Sequence, residues 1–94
     1  MERFRIAVID DEAIIGREIK RGLSKEPHYE VETFPDGESA LQRLEQMGFD
    51  LLLCDLRLPA MSGLEVLQAA RRRLAHCEVI LITAHGIGYR FVNG

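Results

Sequence analysis

The sequence predicts an α/β fold built on a parallel sheet, and three observations support this. Short apolar runs alternate along the chain with stretches of helical periodicity. The connections between them are short, which favours parallel strands joined by right-handed helical crossovers. The run 51–55 is apolar until one carboxylate closes it, a pattern typical of a strand buried on both faces.

The length of 94 residues and the composition are those of one small globular domain. A formal net charge of -3 gives no basic footprint for nucleic acid, and no apolar run approaches the roughly 20 residues that span a bilayer. We therefore expect a cytoplasmic chain without direct contact to nucleic acid or membrane. Cys54 and Cys77 lie in apolar, strand-like runs and are expected to be free, buried thiols.

The first half of the chain alternates two strands with two helices. A β-branched run over 4–9 predicts the first strand, and three adjacent acids (10–12) follow it. Residues 13–24 and 38–47 have the apolar spacing of helices. Between them, 29–34 alternates polar and apolar side chains, which indicates a strand with one solvated face and hence an edge strand.

The second half repeats the alternation with more deeply buried strands. After the strand 51–55, Ser62 and Glu65 have the spacing of a capping box, which predicts a helix to about residue 74. The run 77–83 is a further apolar strand. The predicted order of elements is therefore β-α-β-α-β-α-β within one domain.

Polar residues close three of the predicted strands. They are Asp10 and Asp11 after the first strand, Asp55 at the third and Thr83 at the fourth. Because the carboxyl ends of parallel strands meet, these acids would share a pocket if the first and third strands are neighbours. A hard divalent cation such as Mg²⁺ would relieve their repulsion and leave positions for phosphate oxygens. Asp55 is then a candidate nucleophile that forms an acyl phosphate, with Thr83 as hydroxyl donor.

Each of these residues also has an ordinary structural interpretation. Asp10 can cap a helix, Asp55 can be a turn residue, and Thr83 can simply end a strand. Their occurrence together at the ends of three inner strands favours a common site over three separate structural roles.

Three motifs resemble those of the receiver domains of two-component response regulators, over roughly residues 4–86. The resemblance implies a flavodoxin-like (CheY-like) sheet, and residues 82–86 look most like receivers attached to transcriptional regulators. The motifs are Val8-Ile9-Asp10-Asp11-Glu12, Asp50-Leu51-Leu52-Leu53-Cys54-Asp55-Leu56-Arg57-Leu58-Pro59-Ala60-Met61-Ser62-Gly63 and Val79-Ile80-Leu81-Ile82-Thr83-Ala84.

The resemblance implies that Asp55 accepts a phosphoryl group from a sensor histidine kinase in a phosphorelay. The chain would then be a phosphoprotein with at most autophosphatase activity, not an enzyme in the usual sense. Asp10, Asp11, Asp55 and the backbone carbonyl of Arg57 would bind Mg²⁺.

The resemblance also implies roles for four residues around the phosphoacceptor. Thr83 would move toward the phosphoryl group as a switch residue, and the small Ala84 would leave access to it. Pro59 and Gly63 would shape the loop that follows the phosphoacceptor.

The chain departs from the family pattern after its fourth strand. Receivers continue with a fourth helix, a fifth strand and a fifth helix, whereas only 85–94 follow here. We therefore predict a sheet in the order 2-1-3-4 without those elements, an incomplete receiver domain over 1–86 and an atypical tail over 87–94. An extra strand over 89–92 could fold back as an antiparallel hairpin or pair with another chain. The conserved lysine at the end of the family's fifth strand has no counterpart.

This truncation has two expected consequences. The fourth strand becomes an apolar edge and the first helix loses a neighbour, so we expect a homodimer or a domain-swapped oligomer. Phosphorylation-dependent switching should also be impaired, because no lysine stabilises the phosphoryl charge.

Two other interpretations stay open. A receiver remnant without phosphotransfer would act as a dimerisation or protein-binding module, which the truncation favours. A haloacid-type phosphohydrolase also uses an aspartyl nucleophile near Mg²⁺. That class, however, carries its second acid two residues after the nucleophile, where this chain has Arg57.

Overall fold

A computed structural model describes residues 3–73, 77–83 and 86–91, and these residues form one five-stranded sheet with helices on both faces. None of the helices described has the length and apolarity that a membrane span needs. The elements in chain order are β1 (Phe4–Ile9), α1 (Ala13–Leu23), β2 (Tyr29–Phe34), α2 (Gly37–Gln46), β3 (Leu51–Asp55), α3 (Gly63–Arg73), β4 (Glu78–Thr83) and β5 (Gly86–Phe91).

Four strands are parallel and lie in the order β2-β1-β3-β4, as predicted. Ile6 pairs with Val31 on one side and with Leu51 on the other, so β1 lies between β2 and β3. β3 pairs in turn with β4, where Asp55 is opposite Ile82. The carboxyl ends of β1, β3 and β4 therefore lie side by side at one end of the sheet.

The strand after β4 differs from the prediction. β5 runs over Gly86–Phe91, not 89–92, and Val92 lies outside the described residues. It pairs antiparallel with β4, from Thr83 opposite Gly86 to Val79 opposite Phe91. Antiparallel strands can be joined by two residues, whereas a parallel crossover needs about a dozen or more. The prediction that β4 is an exposed edge is therefore wrong, because β5 occupies its outer side.

The two faces of the sheet are covered unequally. On one face, α1 packs over β1 and β2, with Ile19 and Leu23 against a small buried cluster. The other face carries α2 and α3 and holds the main core. Its fully buried members from the sheet are Ala7, Ile9, Leu52, Cys54, Val79 and Leu81.

β3 and β4 bury alternate residues on the α2–α3 face and leave the others half-buried on the α1 face. The half-buried residues are Leu51 and Leu53 on β3 and Ile80 and Ile82 on β4. Burial of these strands on both faces was predicted. The α2–α3 face is buried as predicted, whereas the α1 face is only half-buried. At the start of α1, Ile14 is 67% exposed and Ile15 is 41% exposed. Part of the apolar stripe of α1 is therefore uncovered, as expected.

Both cysteines are free and buried, as predicted. Burial raises the pKa of the Cys54 thiol and of the Cys77 thiol to about 12. Both thiols are therefore protonated at neutral pH and pack as small apolar side chains.

The loop after β3 closes tightly onto the end of that strand. The backbone N–H of Gly63 donates to the carbonyl of Leu56 at 3.0 Å. The hydroxyl of Ser62 accepts from the N–H of Glu65 at 3.2 Å and caps α3. A Cβ on Gly63 would lie 2.7 Å from the carbonyl oxygen of Asp55 and 2.8 Å from the Cα of Leu56. The absence of a side chain at Gly63 is thus what allows α3 to start against the end of β3.

Gly63→Ala is expected to lower the free energy of unfolding by about 1–3 kcal/mol, the usual cost of overpacking, because the atoms it meets are backbone. Urea unfolding followed by circular dichroism measures the change. Gly22→Ala is the matched control, since its Cβ would meet nothing within 4 Å. It should stabilise the protein by roughly 0.5–1 kcal/mol through helix propensity. Equal midpoints for the two variants would contradict the packing argument.

Candidate functional site

Three carboxylates meet at the carboxyl end of the sheet. Asp10 and Asp11 follow β1, and Asp55 closes β3. One carboxylate oxygen of each residue lies within 4.8 Å of those of the other two. The pairing of Ile9 with Cys54 produces this arrangement, because it places the residues that follow β1 next to the end of β3. The structure therefore brings together the three acids that the sequence places at strand ends.

Backbone N–H groups orient two of these carboxylates. Oδ1 of Asp10 accepts from the N–H of Glu12 at 2.9 Å. Oδ1 of Asp55 accepts from the N–H of Arg57, also at 2.9 Å. Within the described part of the chain, Oδ2 of Asp55 accepts no hydrogen bond. One oxygen of Asp55 is thus held in place while the other is available to react or to bind a cation.

The pKa of Asp10 is raised above the ordinary aspartate value. The largest cause is burial, which disfavours the charged form. The hydrogen bond from the N–H of Glu12 acts in the opposite direction and lowers the pKa, whereas the charges of Asp55 and Asp11 raise it further. Ionised Asp10 is therefore held at a cost in free energy that a cation between the carboxylates would relieve.

A cleft of about 500 Å³ opens over the three carboxylates. α1 and β4 contribute apolar walls to it, and the loop after β3 contributes a basic residue. The acids outnumber the basic residues among the described residues that line the cleft. Its lining consists of Asp10, Asp11, Glu12, Ile15, Asp55, Arg57 and Ile82.

The other residues predicted for the site lie around the same end of the sheet or outside the described residues. Thr83 is the last residue of β4 and directly follows Ile82, which lines the cleft. Ala84 falls outside the described residues. Pro59 is exposed in the loop between β3 and α3, and Gly63 begins α3. The roles of these four residues stay predictions.

Sequence reasoning missed the apolar walls of the cleft, Ile15 and Ile82. Ile15 belongs to the apolar stripe of α1, is 41% exposed and lines the cleft, a place in the site that the sequence analysis did not assign to it. Its place in the first turn after the strand-end acids was the signal that could have identified it. For Arg57 the family resemblance implied both a backbone carbonyl ligand and a variable position that tunes dephosphorylation, and Arg57 does line the cleft beside Asp55.

The chemistry of these donors fits a hard divalent cation. Mg²⁺ prefers oxygen ligands, is commonly held by one or two carboxylates, and keeps several waters. Asp10, Asp11 and Asp55 offer such oxygens, and the open cleft leaves room for further ligands.

Comparison with known proteins identifies the family. The chain matches the family described as response regulator receiver domain over residues 6–90. The chain belongs to this family. Two-component response regulator PhoP of Pseudomonas aeruginosa is 33% identical over 82 residues, which is 87% of this chain and 36% of that protein. Transcriptional regulatory protein QseB of Haemophilus influenzae is 36% identical over 80 residues, which is 85% of this chain and 36% of that protein.

Solved receiver structures share the fold. The crystal structure of response regulator protein TrrA from Thermotoga maritima, in complex with Mg(2+)-BeF, matches with a TM-score of 0.80 and 38% identity. The match covers 86% of this chain and 70% of that chain. This receiver domain spans about a third of the length of the two curated relatives, 36% in each case. The predicted family and the parallel order 2-1-3-4 are confirmed.

Asp10→Asn is expected to raise the free energy of unfolding at pH 7 in metal-free buffer. Because the pKa of Asp10 is raised, the folded state binds its proton more tightly than the unfolded chain does. Its charge therefore reduces stability above the ordinary aspartate pKa of 3.8, and the gain from Asn should shrink at pH 3. The Asn oxygen can still accept from the N–H of Glu12.

Asp36→Asn is the control, because its expected change in the free energy of unfolding at pH 7 has the opposite sign. The hydrogen bonds from Ser39 lower the pKa of Asp36, so its charge contributes stability at pH 7 that is lost as the pH falls. Denaturation of both variants at pH 7 and pH 3 measures the two effects. A gain for Asp10→Asn of equal size at both pH values would rule out the electrostatic cause.

Proposed function

We propose that this receiver domain accepts a phosphoryl group on Asp55 from the phosphohistidine of a sensor histidine kinase, in a reaction that depends on Mg²⁺. The cluster of Asp10, Asp11 and Asp55 is the observation that carries the proposal, with oxygens within 4.8 Å of one another. Membership of the receiver family and the cleft above the cluster support it.

The transfer would form a P–O bond and break a P–N bond. A carboxylate oxygen of Asp55 attacks phosphorus, and the electron pair of the P–N bond stays on the donor imidazole. That imidazole leaves as a neutral ring when its other nitrogen carries a proton. Oδ2 suits the attack, because Oδ1 is held by the N–H of Arg57. Attack of water on the product would return the carboxylate and release phosphate, which is at most an autophosphatase activity.

Asp10, Asp11, Asp55 and the backbone carbonyl of Arg57 are the residues proposed to hold Mg²⁺. When bound, the cation supplies positive charge that offsets the carboxylates and the charge on the phosphoryl oxygens. The Thermotoga maritima relative was crystallised in complex with Mg(2+)-BeF, which supports the same cation here.

Thr83 and Ala84 keep their proposed roles beside the phosphoryl group, the first as hydroxyl donor and switch, the second as a small residue that leaves access. The position of Thr83 at the end of β4 supports this role. Neither Lys20 nor Lys25 belongs to the described lining of the cleft. Switching is therefore proposed to be impaired, because no lysine among the described lining residues is placed to couple phosphorylation to movement.

The alternative of a non-phosphorylated assembly module receives no better support. Its support was the truncation after β4, and β5 pairs with the edge of β4 that the truncation was expected to expose. The division into a receiver domain over 1–86 and a tail over 87–94 stays a prediction, as does a cytoplasmic location. The same holds for the absence of direct contact with nucleic acid.

Intact mass spectrometry after incubation with acetyl phosphate and Mg²⁺ should show the gain of one phosphoryl group. The gain should be absent with EDTA, which removes Mg²⁺, and in Asp55→Ala, which lacks the acceptor. Asp36→Asn is the matched control, since Asp36 lies outside the cleft at the start of α2. No gain in a folded sample would contradict the proposal.

Self-association is proposed through apolar surface that the fold leaves uncovered. The half-buried residues of β3 and β4 on the α1 face and the exposed Ile14 and Ile15 supply that surface. Size-exclusion chromatography with light scattering should therefore give a mass above the 10.7 kDa of one chain, as a homodimer or domain-swapped oligomer. A monomer that melts cooperatively would refute this expectation.

A further inference from the structure

Two residues of the cleft also belong to the apolar surface that the fold leaves uncovered. Ile15 of α1 and Ile82 of β4 line the cleft over Asp55. We infer that a second copy of the chain docks on this surface and closes the cleft, so that associated chains accept neither Mg²⁺ nor a phosphoryl donor. This inference rests on the proposed function and adds the regulation of the same site by self-association.

The uncovered surface forms one patch, the α1-side patch, on the face of the sheet that carries α1. Alternate residues of β3 and β4 face this side, because those between them, such as Leu52 and Leu81, are fully buried in the core under α2 and α3. β3 pairs directly with β4, with Leu53 opposite Ile80, so their half-buried side chains form adjacent rows that end beside the cleft at Ile82. The α1-side patch consists of Ile14, Ile15, Leu51, Leu53, Ile80 and Ile82.

The shape of this face fits a second copy. α1 packs over β1 and β2, whereas no described helix packs on β3 and β4 from that side, so one half of the face is raised and the other is recessed. A two-fold axis along the strands brings the raised half of each copy onto the recessed half of the other. Every contact then occurs twice, as in the closed dimers that are the commonest assemblies. On the raised half, Ile14 is 67% exposed, more than any other large apolar side chain that the structure describes.

The charges of the two halves are complementary. α1 carries three exposed cations, Arg17, Lys20 and Arg21, against a single acid, Glu18. The described lining of the cleft has the opposite balance, with four acids against one arginine. Arg17 forms no ion pair with any residue that the structure describes, so its guanidinium is free to pair across the contact. A copy of α1 docked over the cleft therefore brings positive charge to the carboxylates.

Closure decides what the site can take up. A bound Mg²⁺ keeps several waters, and the phosphoryl donor must reach Oδ2 of Asp55, so both need an open cleft. The second copy covers Ile15 and Ile82, the apolar walls of the cleft, together with the rest of the α1-side patch. Its basic side chains also relieve the repulsion between carboxylates that Mg²⁺ would otherwise relieve. Because Mg²⁺ then binds the free chain better than the associated chain, it must shift the equilibrium toward free chains.

Light scattering and the initial rate of phosphoryl gain from acetyl phosphate, measured on the same samples over a range of protein concentrations, test the inference. Intact mass follows the gain, and both measurements are made with Mg²⁺. The rate per chain should fall in proportion to the fraction of free chains, about tenfold when about nine-tenths of the chains are associated. Before acetyl phosphate is added, the average mass with Mg²⁺ should be lower than with EDTA.

Ile14→Gln and Ile80→Thr each remove apolar surface from one half of the contact. Each should weaken association about tenfold, since burial of one such side chain contributes at least that much. Neither residue belongs to the described lining of the cleft, so the rate of the free chains should equal that of wild type. At concentrations where wild type associates, both variants should therefore be phosphorylated faster. Thermal melts should show both folded, because Ile14 is exposed and Thr keeps the β-branched shape that strands favour.

Leu64→Gln is the matched control. Leu64 is the second residue of α3, as Ile14 is of α1, and it is also exposed, at 49%. It belongs to a helix on the opposite face of the sheet, outside the α1-side patch. Its replacement should leave both the association and the dependence of the rate on protein concentration as in wild type.

The outcomes separate the two proposals. If associated wild-type chains gain the phosphoryl group as fast as free chains do, the inference is overturned and the proposed phosphotransfer stands. The same holds if wild type stays monomeric at every concentration, or if neither Ile14→Gln nor Ile80→Thr associates more weakly than Leu64→Gln. If free, folded wild-type chains gain no phosphoryl group, the proposed function itself fails and the inference fails with it.

Discussion

Parallel pairing of β1 with β3 is the constraint on which the rest of the site depends. The register that places Ile9 opposite Cys54 also places the acids after β1 beside Asp55. Asp50 fixes this register at the other end of the two strands. Its carboxylate accepts from the N–H of Arg5 at 2.8 Å, and its own N–H donates to the carbonyl of Arg5 at 2.8 Å. A slip of one residue would break both bonds and turn every side chain of β1 to the opposite face.

Burial of the apolar core beneath the acidic site offsets the unfavourable free energy of its carboxylates. Burial and like charges make an ionised Asp10 unfavourable. Fully buried side chains such as Leu52 in β3 and Leu81 in β4 lie in the core below the site, and each contributes about 1.5–3 kcal/mol by leaving water. Close contact of Gly63 with the backbone of Asp55 ties that core to the loop beside the site. Packing of the core therefore holds the three carboxylates close together despite their repulsion. A bound cation would relieve that repulsion.

The two faces of the sheet are covered unequally, and this leaves part of one face exposed. α2 and α3 cover β3 and β4 on one side, whereas α1 lies over β1 and β2 on the other. Alternate residues of β3 and β4, such as Leu53 and Ile80, therefore remain half-buried. β5 completes the backbone hydrogen bonding of β4 without adding a helix to that face. The edge of the sheet is thus protected by pairing, while part of its face is left to solvent or to association.

Local patterns in the sequence determined four strands, three helices and the three clustered acids. Apolar runs closed by Asp10 and Asp55 identify strand ends, and Ser62 with Glu65 identifies the start of α3, because these signals depend on neighbours in the chain. The sequence left open whether a strand over 89–92 folds back as an antiparallel hairpin or pairs with another chain. Pairing with β4 in the tertiary structure decided between these alternatives and set the strand at Gly86–Phe91. The exposure of Ile15 and the place of Arg57 in the lining of the cleft were likewise decided by the tertiary structure, because burial and cleft lining depend on residues distant in sequence.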